Sequence, residues 1–368
     1  MKKFVSLLLA LALVLSVFAV ATAEAPKKIG ISMPTQSLER WNRDGSYLDE
    51  QFKAAGFETI LTYSDNDAGR QVNDIQNMLA DEVDLLIIAA IDGEALNTVM
   101  DEAANAGIPV ISYDRLILND AVSYYVSFDN YTVGKLQGQY VETALDLANA
   151  GDKTYVIEFT AGDPADNNAG YFFNGAYDVL KGYIDNGTVK VTSGQTAFQE
   201  VATAQWNTDT ALNRAANILA SYYADGTVLD AWVCSNDSTA LGVAQAIESD
   251  YAGSNTIIVT GQDGDIANLA NIVDGKQTMT VYKNVMNEAV VTLELAKAML
   301  AGEVNGEELV KTFGVDCAYD TESYETSEGT KCPSFLLVPS VITKDNLNDL
   351  VATGLYVMGD DGYLKAAE

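Results

Sequence analysis

Short apolar, β-branched runs alternate along the chain with segments whose apolar residues recur every three to four positions. "KIGISMP", "ETILTY", "VDLLIIAA", "PVISYD" and "SYYVSFD" read as strands. Between them Leu38–Ala55, Arg70–Ala80 and Glu94–Ala106 have helical spacing. In the second of these, Val72, Ile75, Met78 and Leu79 share a face, and Gly107 and Pro109 stop the third. The pattern then restarts. "TYVIEFTA", "VKVTSG", "LDAWVCS" and "TIIVTGQ" predict strands, with helices near Asn168–Tyr183, Ala202–Tyr223, Ser238–Ser249 and Ile266–Asp274. "QTMTVY" and a long helix, Asn284–Leu300, follow. Strand–helix alternation implies parallel sheets with helices on both faces, and "LLIIAA", with no polar alternation, fits a strand covered on both sides. Two such series imply an α/β chain of two similar doubly wound lobes. The length of 368 residues exceeds what one core ordinarily serves.

In open parallel sheets, ligands bind beyond the carboxyl ends of the strands. Polar residues gather there in this chain. Glu39, Arg40 and Trp41 follow "IGISMP", Asp92 follows "IIAA", and Asp114 and Arg115 follow "VISY". "GDPADNNA" follows "VIEFTA", "SND" follows "AWVC", "QDGD" follows "IIVTG", and Lys283 follows "MTVY". Any single Asp or Asn after a strand is also an ordinary turn former or helix N-cap, as Asn236 or Asp237 would be before "STALG". Trp41 and Trp206 are equally readable as core residues, and Asp114–Arg115 as a structural ion pair. The recurrence at strand exits is what points to a ligand site.

Composition narrows the chemistry. The chain has 21 Lys+Arg against 52 Asp+Glu, a formal charge of −31, which argues against a nucleic-acid partner. It has no histidine, which removes Ser-His-Asp triads, Cys-His pairs and His-ligated zinc. Lys2 and Lys3, an apolar run from Phe4 to Val20 and then Ala21-Thr22-Ala23 form a secretory signal pattern, so cleavage near Ala23 and an exported, periplasmic or extracellular product are expected. No cysteine follows that run to carry a lipid. In an oxidising compartment Cys317 and Cys332 are candidates for a disulfide, with two free thiols as the alternative, and Cys234 reads as a buried strand residue. "DNDAGRQVNDIQ" begins like a calcium loop, but its Gly69 comes one place early and Gln76 stands where the bidentate Glu belongs. No metal and no cofactor is expected.

The strand-exit set combines acceptor-only Asp, donor-only Arg and Lys, two-sided Asn and the flat face of Trp. A ring of hydroxyls needs such mixed partners, and an indole covers the C–H face of a pyranose. A phosphate would need a glycine-rich turn, and neither "GxxxxGK[ST]" nor "GxGxxG" is present. The competing readings are a glycoside hydrolase using a carboxylate pair such as Asp263 and Asp237, and the ligand domain of a repressor. The latter needs a DNA-binding headpiece where this chain has its signal pattern.

"SLERWNRDG", "SYDRLI", "YYVSFDN", "GDPADNNA", "CSNDSTALG", "GQDGD" and "QTMTVYKNV", in this order, resemble the periplasmic xylose-binding proteins and their relatives that bind several aldoses. The resemblance runs from about Lys28 to Leu300 and resumes at "PSFLLVPSVITKDN". It implies a type I periplasmic binding protein, not an enzyme, whose two lobes are joined by a three-segment hinge. The crossings are expected near Phe128–Tyr131, near Tyr282–Asn284 and within Lys311–Phe335. The first lobe would comprise residues 24–129 and 284–325, the second 130–283 and 326–368, after a signal peptide at 1–23. The implied sugar contacts are Arg40, Trp41, Asp114 and Arg115 from the first lobe. Asp166, Asn168, Trp206, Asn236 and Asp263 would come from the second, and Lys283 from a crossing. The implied ligand is xylose, glucose, galactose or arabinose. The implied partners are the permease of an ABC transporter and a chemoreceptor, and the protein itself is expected to be a monomer. The segment "DCAYDTESYETSEGTKC" departs from the family's pattern.

Overall fold

A computed structural model describes residues 25–367; the signal pattern lies outside the described residues. Strands β1 (Lys28–Met33), β2 (Glu58–Tyr63), β3 (Leu85–Ile88), β4 (Val110–Tyr113) and β5 (Val122–Phe128) all pair in parallel, in the order β5-β4-β3-β1-β2. Two later strands widen this sheet beyond β5: Ser334–Leu337, parallel to β5, and at the edge Cys317–Asp320, antiparallel to it. A second sheet of β6 (Tyr155–Thr160), β7 (Val189–Val191), β8 (Ala231–Cys234) and β9 (Ile258–Val259) is wholly parallel, in the order β7-β6-β8-β9. Each sheet buries an apolar cluster on both faces. Ile31, Leu85, Ile87 and Ile111 face one way in the first sheet, while Leu86, Ile88 and Val110 face the other. That two-sided burial is why these strands show no polar alternation. The α/β architecture of two doubly wound sheets is as the pattern implied.

The chain leaves the first sheet after Phe128 and enters the helix Asn130–Ala144, which packs on the helix Asn167–Asp185 of the second sheet. This first helix carries glycine at 134 and 138. A Cβ on Gly134 would stand 1.9 Å from the Phe172 carbonyl oxygen, and one on Gly175 would stand 2.2 Å from that of Tyr131. Here glycine permits two helix backbones to touch rather than ending a helix. The strand Met279–Tyr282 pairs with Ser340–Thr343, and the chain then returns through Lys283 to the helix Val285–Ala301, packed on Glu39–Ala54. Ser334–Leu337 belongs to the first sheet, whereas Ser340–Thr343, just beyond Val338–Pro339, pairs with Met279–Tyr282.

Cys317 and Cys332 are free thiols. Cys317 lies opposite Leu337, five residues beyond Cys332 along the neighbouring strand direction, a separation of roughly 16 Å against the roughly 4.4–6.8 Å that a disulfide spans between Cα atoms. They also pack into clusters on opposite faces of the sheet. Cys234 is fully buried in β8, where burial pushes its thiol pKa up. Among the described residues no helix is long and apolar enough to cross a membrane.

Candidate functional site

Asp114 leaves the end of β4 with φ at 55°, a left-handed conformation that side chains disfavour. The surroundings hold it there. Its amide donates to the Val126 carbonyl at 2.7 Å, and its carbonyl accepts from Tyr125 Oη and Asn168 Nδ2, each at 2.6 Å, and from Ser127 Oγ at 3.0 Å. The turn brings the Asp114 carboxylate to Arg40, at 2.7 Å, and to Lys283, at 3.1 Å. The next residue, Arg115, reaches Asp166 at 3.1 Å, a residue that begins a helix on the second sheet. A fully buried strand therefore ends on two charges because each has opposite-charge partners on other elements.

Arg40 lies among four carboxylates. Nε faces Asp44 at 3.1 Å, Nη2 faces Asp114 at 2.7 Å and Glu288 at 3.0 Å, and Nη1 faces Asp263 at 3.3 Å. Burial would raise the Asp114 carboxyl, but Arg40, Lys283 and Arg115 outweigh that and hold its pKa at about 2. Burial, and then the Asp114 charge, raises Glu288 well above the usual range; burial also raises Asp44. Five carboxylates (Asp44, Asp114, Asp166, Asp263, Glu288) meet three cations (Arg40, Arg115, Lys283). The opposite charges offset one another across the cluster, and such paired donors and acceptors suit an uncharged polar ligand.

Helix starts and turns build the opposite wall. Asp166 Oδ1 accepts from the Asn168 amide at 2.9 Å, capping Asn167–Asp185, while Oδ2 faces Arg115 and accepts from Trp206 Nε1 at 3.2 Å. Asn236 Oδ1 caps Asp237–Asp250 by accepting from the Thr239 amide at 3.0 Å, which leaves the Nδ2 donors for the cavity. The capping role and the site role coincide in both residues. Trp206 has φ at 54° and lies against the bare Cα of Gly162, where a Cβ would approach the indole to 1.9 Å. Asp263 has φ at 107°.

Nine of the ten expected residues line one cavity: Arg40, Trp41, Asp114, Arg115, Asp166, Trp206, Asn236, Asp263 and Lys283. Asn168 does not line it. Both ends of its carboxamide are engaged, Nδ2 with the Asp114 carbonyl and Oδ1 with Tyr125 Oη at 2.9 Å, so it ties the two halves together behind the wall. The reading from sequence missed Leu38, Phe172, Ser238, Gln262 and Asp265, which also line the cavity. Gln262 and Asp265 stand within "GQDGD" and were within reach of the strand-exit rule. Gln262 donates Nε2 to the Ser235 carbonyl at 2.9 Å, while its Oε1 is buried without a hydrogen-bond partner among the described residues, an acceptor available to a ligand hydroxyl. Two indoles and the Phe172 ring supply apolar faces, with Phe172 and Trp206 edge to face at 6.1 Å. Asp237, the second carboxylate of the hydrolase alternative, does not line the cavity. Its oxygens accept from the Gly264 and Asp265 amides, from Gln277 Nε2 and from Thr280 Oγ1, at 2.9–3.0 Å.

The periplasmic binding protein domain family matches residues 29–304. The chain is 38% identical to the multiple sugar-binding periplasmic receptor ChvE of Rhizobium radiobacter, over 98% of this chain and 99% of that one. It is 32% identical to the D-xylose-binding periplasmic protein of Escherichia coli, over 100% of this chain and 99% of that one. The crystal structure of an ABC transporter solute-binding protein from Clostridium phytofermentans with bound β-D-glucose superposes with a TM-score of 0.84 at 46% identity, covering 91% of this chain and 99% of that one. The chain belongs to the periplasmic binding protein family.

Proposed function

We propose that this protein captures one aldose in its pyranose form, glucose, xylose, galactose or arabinose, and delivers it to the permease of an ABC transporter without chemical change. The observation that carries the reading is the convergence of Arg40, Asp114 and Arg115 from one sheet with Asp166, Asn236 and Asp263 from the other. They meet around a cavity that also has aromatic faces. Such a set offers donors and acceptors to every hydroxyl and flat apolar surface to the ring. The relatives' ligands, β-D-glucose in the Clostridium structure and D-xylose in the name of the Escherichia coli protein, are of this class.

The two sheets form the cores of two lobes, residues 25–129 with 284–337 and residues 130–283 with 338–367, hinged at the three passages between them. Direct contacts between the halves, Arg115 with Asp166 and Arg40 with Asp263, describe the closed arrangement. The sugar stabilises closure through contacts that an open cleft lacks. The leader ending near Ala23 directs export, the protein acts as a monomer, and its closed form is the one presented to the permease and to a chemoreceptor. A thermal-shift screen over aldoses tests the reading. At a hundredfold excess over Kd, a bound sugar adds about 2.7 kcal/mol and raises Tm by several degrees. Absence of a shift with every aldose, confirmed by calorimetry, would refute it.

A further inference from the structure

The loop Gln262–Ile266, which presents Asp263 to the cavity, is held from two directions. Its own half supplies part of the hold. The Asp263 amide donates to the Val281 carbonyl at 2.9 Å. Asp237 Oδ2 accepts from the amides of Gly264 and Asp265, and Tyr356 Oη donates to the Gly264 carbonyl at 2.9 Å. The rest comes from the helix Glu39–Ala54 of the other half. Arg43 Nη2 donates to the Asp263 carbonyl and to Asp265 Oδ1, both at 3.1 Å, and Nη1 donates to the Gly264 carbonyl at 3.1 Å. Glu39, one helical turn before Arg43, accepts from the Ile266 amide at 3.2 Å. Arg43 does not line the sugar cavity.

We infer that Arg43, assisted by Glu39, is a positioning residue that completes this loop only when the two halves are together, so that Asp263 attains its left-handed, ligand-facing geometry as a consequence of closure. The inference rests on the sugar-binding reading. An open molecule leaves the Asp263 carbonyl, the Asp265 carboxylate and the Ile266 amide without these cross-cleft partners. A conformation at φ 107° then depends on Val281, Asp237 and Tyr356 of its own half. Arg43 holds the loop through the Asp263 and Gly264 carbonyls and the Asp265 carboxylate without itself reaching the cavity, so its contribution is common to every sugar.

The test compares wild type, Arg43→Ala and Glu39→Ala, using calorimetry with glucose and xylose and hydrogen exchange at residues 263–266. In wild type, sugar should protect those amides. Arg43→Ala should weaken both sugars by the same factor, about 10- to 100-fold, because charge-assisted hydrogen bonds are lost. The ratio between the sugars should hold, and the amides should stay less protected at saturating sugar. Glu39→Ala should move in the same direction by less and gives a reading even where Arg43→Ala folds poorly. Wild-type affinity in both variants, or a changed glucose-to-xylose ratio, overturns the inference. Failure of the wild type to bind any aldose instead overturns the sugar-binding reading beneath it.

Discussion

The two walls of the cavity reach the same end by different means. The wall on the first sheet is an ion network, with Arg40 among four carboxylates and Asp114 shared between Arg40 and Lys283. The wall on the second sheet is made of helix starts and one turn, in which Asp166 and Asn236 each spend an oxygen on a backbone amide and aim what remains at the cavity. The comparison teaches where binding and stability are coupled. Charges on the first wall were desolvated in pairs, so removing one strands its mates. On the second wall the cap and the ligand contact use different atoms and are separable.

The largest break in that comparison is Asp114→Ala. It removes the carboxylate that Arg40 and Lys283 share and leaves Lys283 with Asp263 at 3.6 Å, should abolish sugar binding and should cost about 3–5 kcal/mol in a urea titration. Gly162→Ala comes next. The new methyl displaces Trp206, and a loss of about 1–3 kcal/mol is expected, with sugar affinity reduced while the first wall is untouched. Asn236→Ala should lose the helix cap for about 1 kcal/mol, whereas Asn236→Asp keeps the cap, removes the Nδ2 donors and should weaken sugar binding with Tm nearly unchanged. Equal Tm losses in the two Asn236 variants would show that cap and contact are not separable.

The smallest effect is one of pH. Burial pushes Asp265 up to about 7, against the pull of Arg43. A carboxyl whose folded pKa is raised stabilises fully below its unfolded value near 3.9, and that contribution is lost as pH rises through the folded value. Stability should therefore fall by about 1 kcal/mol between pH 6 and pH 8, and Asp265→Asn should flatten that part of the profile, as measured by urea unfolding at each pH.

Most of this geometry was legible because strand exits are a topological property and the strands announce themselves as apolar runs. Legibility failed where one residue type serves two purposes. The helix Asn130–Ala144 escaped notice because Gly134 and Gly138 look like breakers, although they serve a close backbone approach that only the partner helix reveals. "SFLLVPSVIT" reads as one β run, but Pro339 divides it between two sheets, and strand pairing at such distance leaves no local trace. Cys317 and Cys332 look like a pair because spacing carries no information about which face of a sheet a residue occupies. Asn168 stands in the right motif, but its amide found a partner in the Asp114 carbonyl, a group every residue has and no pattern marks.

Lys283 is one of the cavity's lining residues and also part of the short segment by which the chain returns to the first sheet. Its Nζ stands 3.1 Å from Asp114 and 3.6 Å from Asp263, one carboxylate on each side. Under the proposed hinge, whatever occupies the cavity presses on the axle as well as on the jaws. A substitution at this lysine would therefore alter how far the molecule swings as well as how tightly it grips.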